Sequence, residues 1–218
     1  INKSGNSTFS LDTIPRASSI SSAGAVTLGN ACSVAWTPLA TSFYYKLKFS
    51  IGSWSKTTSA IHPNQTSSYT YTGYTIPLEA ANQVPNSTTG TMTVTLYSYS
   101  NSACSTQIGS ASSKTFTITI PSSVKPTISS VTATIDNSAN SVVNSWGLAV
   151  VGYTKVKVEA AASGSYSSTI SSFTISGGYS TTRSGTSLSY TGGKITSSGS
   201  KTFSVTCKDS RGRTSSAV

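Results

Sequence analysis

Apolar and polar residues alternate with a period of two along most of the chain. Phe43, Tyr45, Leu47, Phe49 and Ile51 alternate with Tyr44, Lys46, Lys48 and Ser50, the pattern of a strand with one buried face. Met92, Val94 and Leu96 repeat it against Thr93, Thr95 and Tyr97. The same alternation runs through Cys32, Val34 and Trp36, through Phe116, Ile118 and Ile120, and through Phe203, Val205 and Cys207, with β-favouring threonine around them. No stretch of ten or more residues carries an apolar stripe of helical period; a short turn at Leu78 to Asn82, opening after Pro77, is the one helical expectation. The pattern predicts an all-β protein.

Turn signals and the run Pro121-Ser122-Ser123-Val124-Lys125-Pro126 divide this β pattern. Two prolines with small polar residues make a short, stiff connector, so the sequence predicts a β-sandwich domain over 1–121, a linker over 122–126 and a second sandwich over 127–218. Both lengths suit seven or more short strands, and tandem immunoglobulin-like or fibronectin-like β-sandwich domains are the expected architecture. The antibody spacing of Cys, Trp and Cys is absent, because Cys32 and Trp36 lie on one face of one segment. Trp36, Phe49 and Phe116 are the expected core aromatics of the first domain, and Trp146, Phe173 and Phe203 those of the second.

Composition narrows the chemistry. Of 218 residues, 48 are Ser and 34 are Thr, whereas the acids are only Asp12, Glu79, Asp136, Glu159 and Asp209 and the one histidine is His62. That stock is thin for acid/base or metal chemistry, and no nucleophile elbow, phosphate-binding glycine loop or Cys-x-x-Cys pair is present, so no catalytic, cofactor-binding or metal-binding residue is assigned. The net charge of +10 is spread evenly over the two halves rather than gathered on a stripe, which disfavours nucleic acid and leaves anionic polymers as partners. No apolar stretch approaches a membrane span, and Ile1 in place of Met reads as the start of an excised piece without a signal peptide. Cys32 and Cys207 fall at inward strand positions and Cys104 in a loop; free buried thiols are expected, with a Cys32–Cys104 bridge as the alternative.

Two features offer residue-level candidates for contact. If Phe43, Tyr45 and Leu47 point inward, Tyr44, Lys46 and Lys48 point outward, and the same parity turns Tyr97 and Tyr99 out beside Thr93 and Thr95. Such a Tyr/Thr/Lys face could hold a wall glycan or another protein, or its cross-strand pairs could simply stabilise the sheet. Trp54, beside Gly52 and Ser53 in an expected hairpin, is the next candidate. The second feature is Asp209-Ser210-Arg211-Gly212-Arg213-Thr214, whose composition is that of a surface turn, with Arg211 and Arg213 as candidates for an acidic or phosphorylated partner. Asp12, ahead of Pro15, is read as a turn acceptor.

The run Phe9-Ser10-Leu11-Asp12-Thr13-Ile14-Pro15-Arg16-Ala17-Ser18-Ser19-Ile20, the stretches Gly152 to Val158 and Tyr166 to Ile175, and the closing Asp209 to Thr214 together resemble minor structural proteins of long-tailed phages and prophages of Gram-positive bacteria. The resemblance implies a virion component of the tail or tail tip, built of β-sandwich modules and assembled in the host cytoplasm. Its partners would be other virion proteins, with a homo-oligomer in the virion as one arrangement, and it carries over no catalytic residue. The readings set beside it are a module that binds cell-wall glycan directly and a stalk domain of a bacterial surface adhesin.

Overall fold

The computed structural model describes residues 16–218; Asp12 and the Phe9–Pro15 part of the phage-like run lie outside the described residues. In chain order the first region carries β1 (Ile20–Ala23), β2 (Val26–Thr27), β3 (Val34–Trp36), β4 (Tyr44–Ile51), β5 (Trp54–Thr57), β6 (Tyr69–Tyr71), β7 (Thr89–Tyr99) and β8 (Ser112–Thr119). The second carries β9 (Thr127–Asp136), β10 (Lys155–Ser163), β11 (Ile170–Gly177), β12 (Thr181–Ser184), β13 (Ser187–Lys194) and β14 (Phe203–Asp209). The chain is all-β, as its period of two predicts.

Among the described residues four sheets result, in the orders β1-β3-β6, β2-β8-β7-β4-β5, β13-β10-β9 and β12-β11-β14. None of them mixes strands from the two sides of residues 121–126. Every strand pair within them is antiparallel except β2 with β8. The last residues of the described chain cover the outer edge of β14: Ser215 and Cys207 exchange hydrogen bonds, and Val218 and Val205 exchange backbone bonds of 2.8 and 3.0 Å. An edge strand is thereby closed to further pairing.

Each region has its own apolar cluster. Tyr45, Leu47 and Phe49 of β4 meet Met92, Val94 and Leu96 of β7 and Trp36 of β3, all excluded from solvent. The second cluster is smaller and centres on Val158, Phe173, Ile175, Val205 and Cys207. The expected turn after Pro77 is a 3₁₀ segment over Leu78–Gln83, and it packs Ala80 and Ala81 into the first cluster. Cys32 and Cys207 are buried, Cys104 is half-buried and all three are free, so the Cys32–Cys104 bridge is not formed. Burial pushes the Cys32 thiol up to about 11.

The apolar period does not predict the helix α1 (Ser141–Trp146), because a six-residue helix is too short to show one. Local chemistry specifies it instead. The Asn140 side chain accepts the backbone N–H groups of Val142 and Val143, and Gly147 ends the helix in the left-handed region at φ 65°. Of this helix only Val143 is buried; Trp146, expected in the core, is 57 % exposed. The reason is geometric: a single capped turn has one inward position, and Val143 takes it.

Candidate functional site

The register of β4 against β7 decides whether the outward tyrosines belong together. Tyr44 lies opposite Tyr99, Lys46 opposite Tyr97 and Lys48 opposite Thr95, so the five candidate side chains form one continuous patch on the outer face of the five-stranded sheet. Within it, Lys46 Nζ stands 5.9 Å from the centre of the Tyr99 ring, and the Tyr44 ring stacks on His62 at 4.3 Å. His62 Nε2 donates to the Thr41 carbonyl at 2.7 Å, which fixes the imidazole against the tyrosine. Thr95 and Ser113 exchange a hydroxyl hydrogen bond at 2.8 Å, extending the polar surface onto β8. All five candidates are half-buried. Partial burial also raises the Tyr99 hydroxyl above its usual pKa. Among the described residues the patch holds two ammonium groups and no carboxylate, which suits an anionic or hydroxyl-rich counterpart.

Trp54 does not join this patch. It pairs with Ile51, whose parity is that of Phe49 and Leu47, and so packs against the first apolar cluster on the inner side of the sheet. The hairpin itself is as expected, with Gly52 at φ 52° making the turn.

Arg211 and Arg213 require a second correction. The turn chemistry holds: the Asp209 carboxylate accepts the N–H groups of Arg211 and Arg213 at 3.1 and 2.8 Å, and Gly212 sits at φ 81°. The turn is not on the free surface, however. Arg211 is 6 % exposed, and its guanidinium donates to four backbone carbonyls. Val84 and Ala81 of the first region accept from Nε and Nη2, each at 2.9 Å, while Ser165 accepts from Nη1 at 2.6 Å and Tyr166 from Nη2. A planar fork of fixed donors is the side chain able to gather carbonyls from several directions at once. Burial lowers the Arg211 pKa, opposed by the nearby charge of Asp209.

Neighbouring contacts reinforce this junction. Ser210 Oγ donates to the Pro85 carbonyl at 2.6 Å, Ser167 Oγ to Asn82 Oδ1 at 2.9 Å, and Arg213 Nη2 to the Ile120 carbonyl at 2.9 Å. The connector is held too: Val124 is buried in the first cluster, and the Lys125 carbonyl accepts from Ser165 Oγ at 2.8 Å. Tyr166 and Ser167 lie at φ 47° and 63°, an uncommon pair of left-handed non-glycine residues, held there by their bonds to Arg211 and Asn82. Tyr166 also packs its ring on the first cluster. Sequence shows the turn but not the junction, because the acceptors are main-chain carbonyls, which leave no trace in side-chain identity.

Comparison with known proteins assigns the chain. The family model described as "Siphovirus protein of unknown function (DUF859)" matches residues 2–218. The chain belongs to that siphovirus family. No curated protein matches this siphovirus protein. Among solved structures, the fibronectin(III)-like modules of Clostridium thermocellum CbhA are similar over 93 % of this chain and 90 % of theirs, at 15 % identity and a TM-score of 0.34. Among the described residues of the siphovirus protein, no three His, Cys, Asp or Glu side chains gather where they could hold a metal ion, and no helix is long and apolar enough to cross a membrane.

Proposed function

We propose that this siphovirus protein is a non-enzymatic structural and interaction module of the virion, at the tail tip or in a tail fibre. Two immunoglobulin-like or fibronectin-like sandwiches in tandem would hold an attachment element at a fixed distance and angle. The observation that carries this reading is the Arg211 junction. A tether needs only a polar connector, whereas here a buried guanidinium ties carbonyls of both regions and the connector itself is packed. Hydrogen bonds to a charged donor contribute about 1.5 to 3 kcal/mol each, enough to favour one relative orientation over a range of others. The Tyr44, Lys46, Lys48, Tyr97 and Tyr99 patch supplies a flank for an acidic neighbour in the virion.

Gold-labelled antibody against this chain, applied to purified virions, tests the location. Label at the distal end of the tail is expected; unlabelled virions, or label confined to the head, would reject it. A second reading, direct binding of a host-surface glycan, is favoured by the end of the molecule that lies away from the junction.

A further inference from the structure

Strand directions give the second region two unlike ends. The starts of β9, β11 and β13 and the ends of β10 and β14 lie toward the junction, because Thr127 pairs with Ser163, Ser187 with Ala161 and Ile170 with Asp209. At the opposite end Asp136 and Lys194 both pair with Lys155, and Gly177 pairs with Phe203. With a rise of about 3.3 Å per residue, the length of β10 sets that far end about 26 Å from the junction.

The far end is hollow. A cavity of about 350 Å³ opens between the β11–β12 turn and the loop that joins β13 to β14, and a second of about 300 Å³ adjoins it; both are lined by Val156, Ile195, Ser200, Lys201 and Phe203. Tyr179 and Phe203 line the larger one with ring centres 4.9 Å apart, and the Tyr179 hydroxyl is tied to the Val156 and Tyr190 carbonyls at 3.3 and 3.2 Å. Glycine is needed beneath these rings. A Cβ on Gly192 would stand 2.4 Å from Tyr179, and one on Gly178 would stand 2.5 Å from Phe203.

The polar lining has one sign of charge. Lys194 and Lys201 border the larger cavity with the hydroxyls of Thr196, Ser197, Ser200 and Thr202, and among the described residues no acid lines either cavity. Asp136, which ends β9 nearby, is engaged by the Ser138 backbone N–H at 3.0 Å and by its hydroxyl at 2.6 Å. Lys201 Nζ donates to Ser197 Oγ at 2.7 Å and to the Ser198 carbonyl at 3.2 Å, leaving one of its three donors for a ligand. Lys194 Nζ stands 5.8 Å from the Tyr153 ring, on the exposed segment that also carries Trp146.

We infer that this cavity binds an anionic carbohydrate, a sugar or polyol bearing phosphate or carboxylate. Fixed rings accept the C–H face of a sugar, the hydroxyl lining exchanges hydrogen bonds with its hydroxyls, and the two ammonium groups hold the anion. The inference deepens the glycan-binding part of the proposed function. It fails separately from virion location, because binding is read on the purified chain.

The test is a titration of the ¹⁵N-labelled full chain with glucose 6-phosphate, glucuronic acid, glucose and inorganic phosphate. Amide shifts at Lys194, Ile195, Lys201 and Thr202 are expected with the two sugar acids, and their relative affinities separate a phosphorylated from a carboxylated source. Affinity at least tenfold weaker is expected for glucose and for inorganic phosphate, and for the sugar acids with the Lys194→Gln/Lys201→Gln variant, whose remaining spectrum reports its fold. Tyr44→Ser should bind as the native chain does. Absence of shifts, equal affinity for glucose, equal affinity for inorganic phosphate (an adventitious ion only), or undiminished binding by the double lysine variant would each overturn the inference.

Discussion

In the first region Trp36 packs Tyr45 at 5.3 Å and Tyr69 at 5.0 Å, while Phe49 meets Tyr74 and Phe116 within the same cluster. In the second region Trp146 faces water, and Val142, Leu148, Val151 and Tyr153 of the same segment are exposed with it. The two regions have similar strand content, but among the described residues the first encloses a core of 20 buried apolar residues and the second one of 10. Both clusters come from period-two strands, so the difference lies in the connections. The first region's long connections fold back over its sheets, as Ile61, Ile76 and Ala80 do, whereas no residue of the segment between β9 and β10 belongs to the second cluster.

The largest effects should come from the smaller core. Phe173→Ala removes its one fully buried aromatic and should destabilise the second region by about 3 to 5 kcal/mol. Trp146→Ala should change stability by less than about 0.5 kcal/mol. Chemical denaturation of the two variants checks the contrast, and equal losses would break it. Arg211→Ala should cost about 3 kcal/mol, since buried carbonyls on both sides lose their donor. It should also split one unfolding transition into two, with the second region melting first, and Arg211→Lys should not restore the junction, because one ammonium replaces a fork.

Cysteine sharpens the comparison by chemistry. Cys207→Ser should destabilise by about 1 to 3 kcal/mol, a hydroxyl entering an apolar site without a partner. In the first region, burial holds the Cys32 thiol near 11, above its unfolded value. The folded state therefore favours the neutral thiol: this contribution is fully present below the unfolded pKa and is lost as pH rises from about 9 through 11. Denaturation midpoints across that window should fall less in Cys32→Ala than in the native chain. Small effects belong to the outer patch as well, where Tyr44→Ser, Tyr97→Ser and Tyr99→Ser should each cost about 0.2 to 1 kcal/mol as cross-strand pairs are lost. A fall in virion assembly or attachment beyond that loss would assign the patch a contact role.

Strands were legible because burial on one face writes itself into alternate residues, as in Tyr45, Leu47 and Phe49. The outer patch followed from the same parity once β4 and β7 proved to be neighbours. What alternation could not show depends on backbone. Arg211 is bound by carbonyls, and its turn composition pointed to the surface instead. Helix α1 is set by Asn140 and Gly147, a cap pair whose signal is independent of any long apolar stripe. The far-end cavity rests on close approach of Gly178 and Gly192 to aromatic rings, which doublets at Gly177-Gly178 and Gly192-Gly193 hint at without naming the partner.

Rotational diffusion tests the central claim most directly. Measured by ¹⁵N relaxation on the full chain, amides of β4 and β7 and amides of β10 and β14 should report one common correlation time, that of a single rigid body, and should separate into two shorter times in Arg211→Ala. Two separate, shorter times already present in the native chain would contradict a fixed junction.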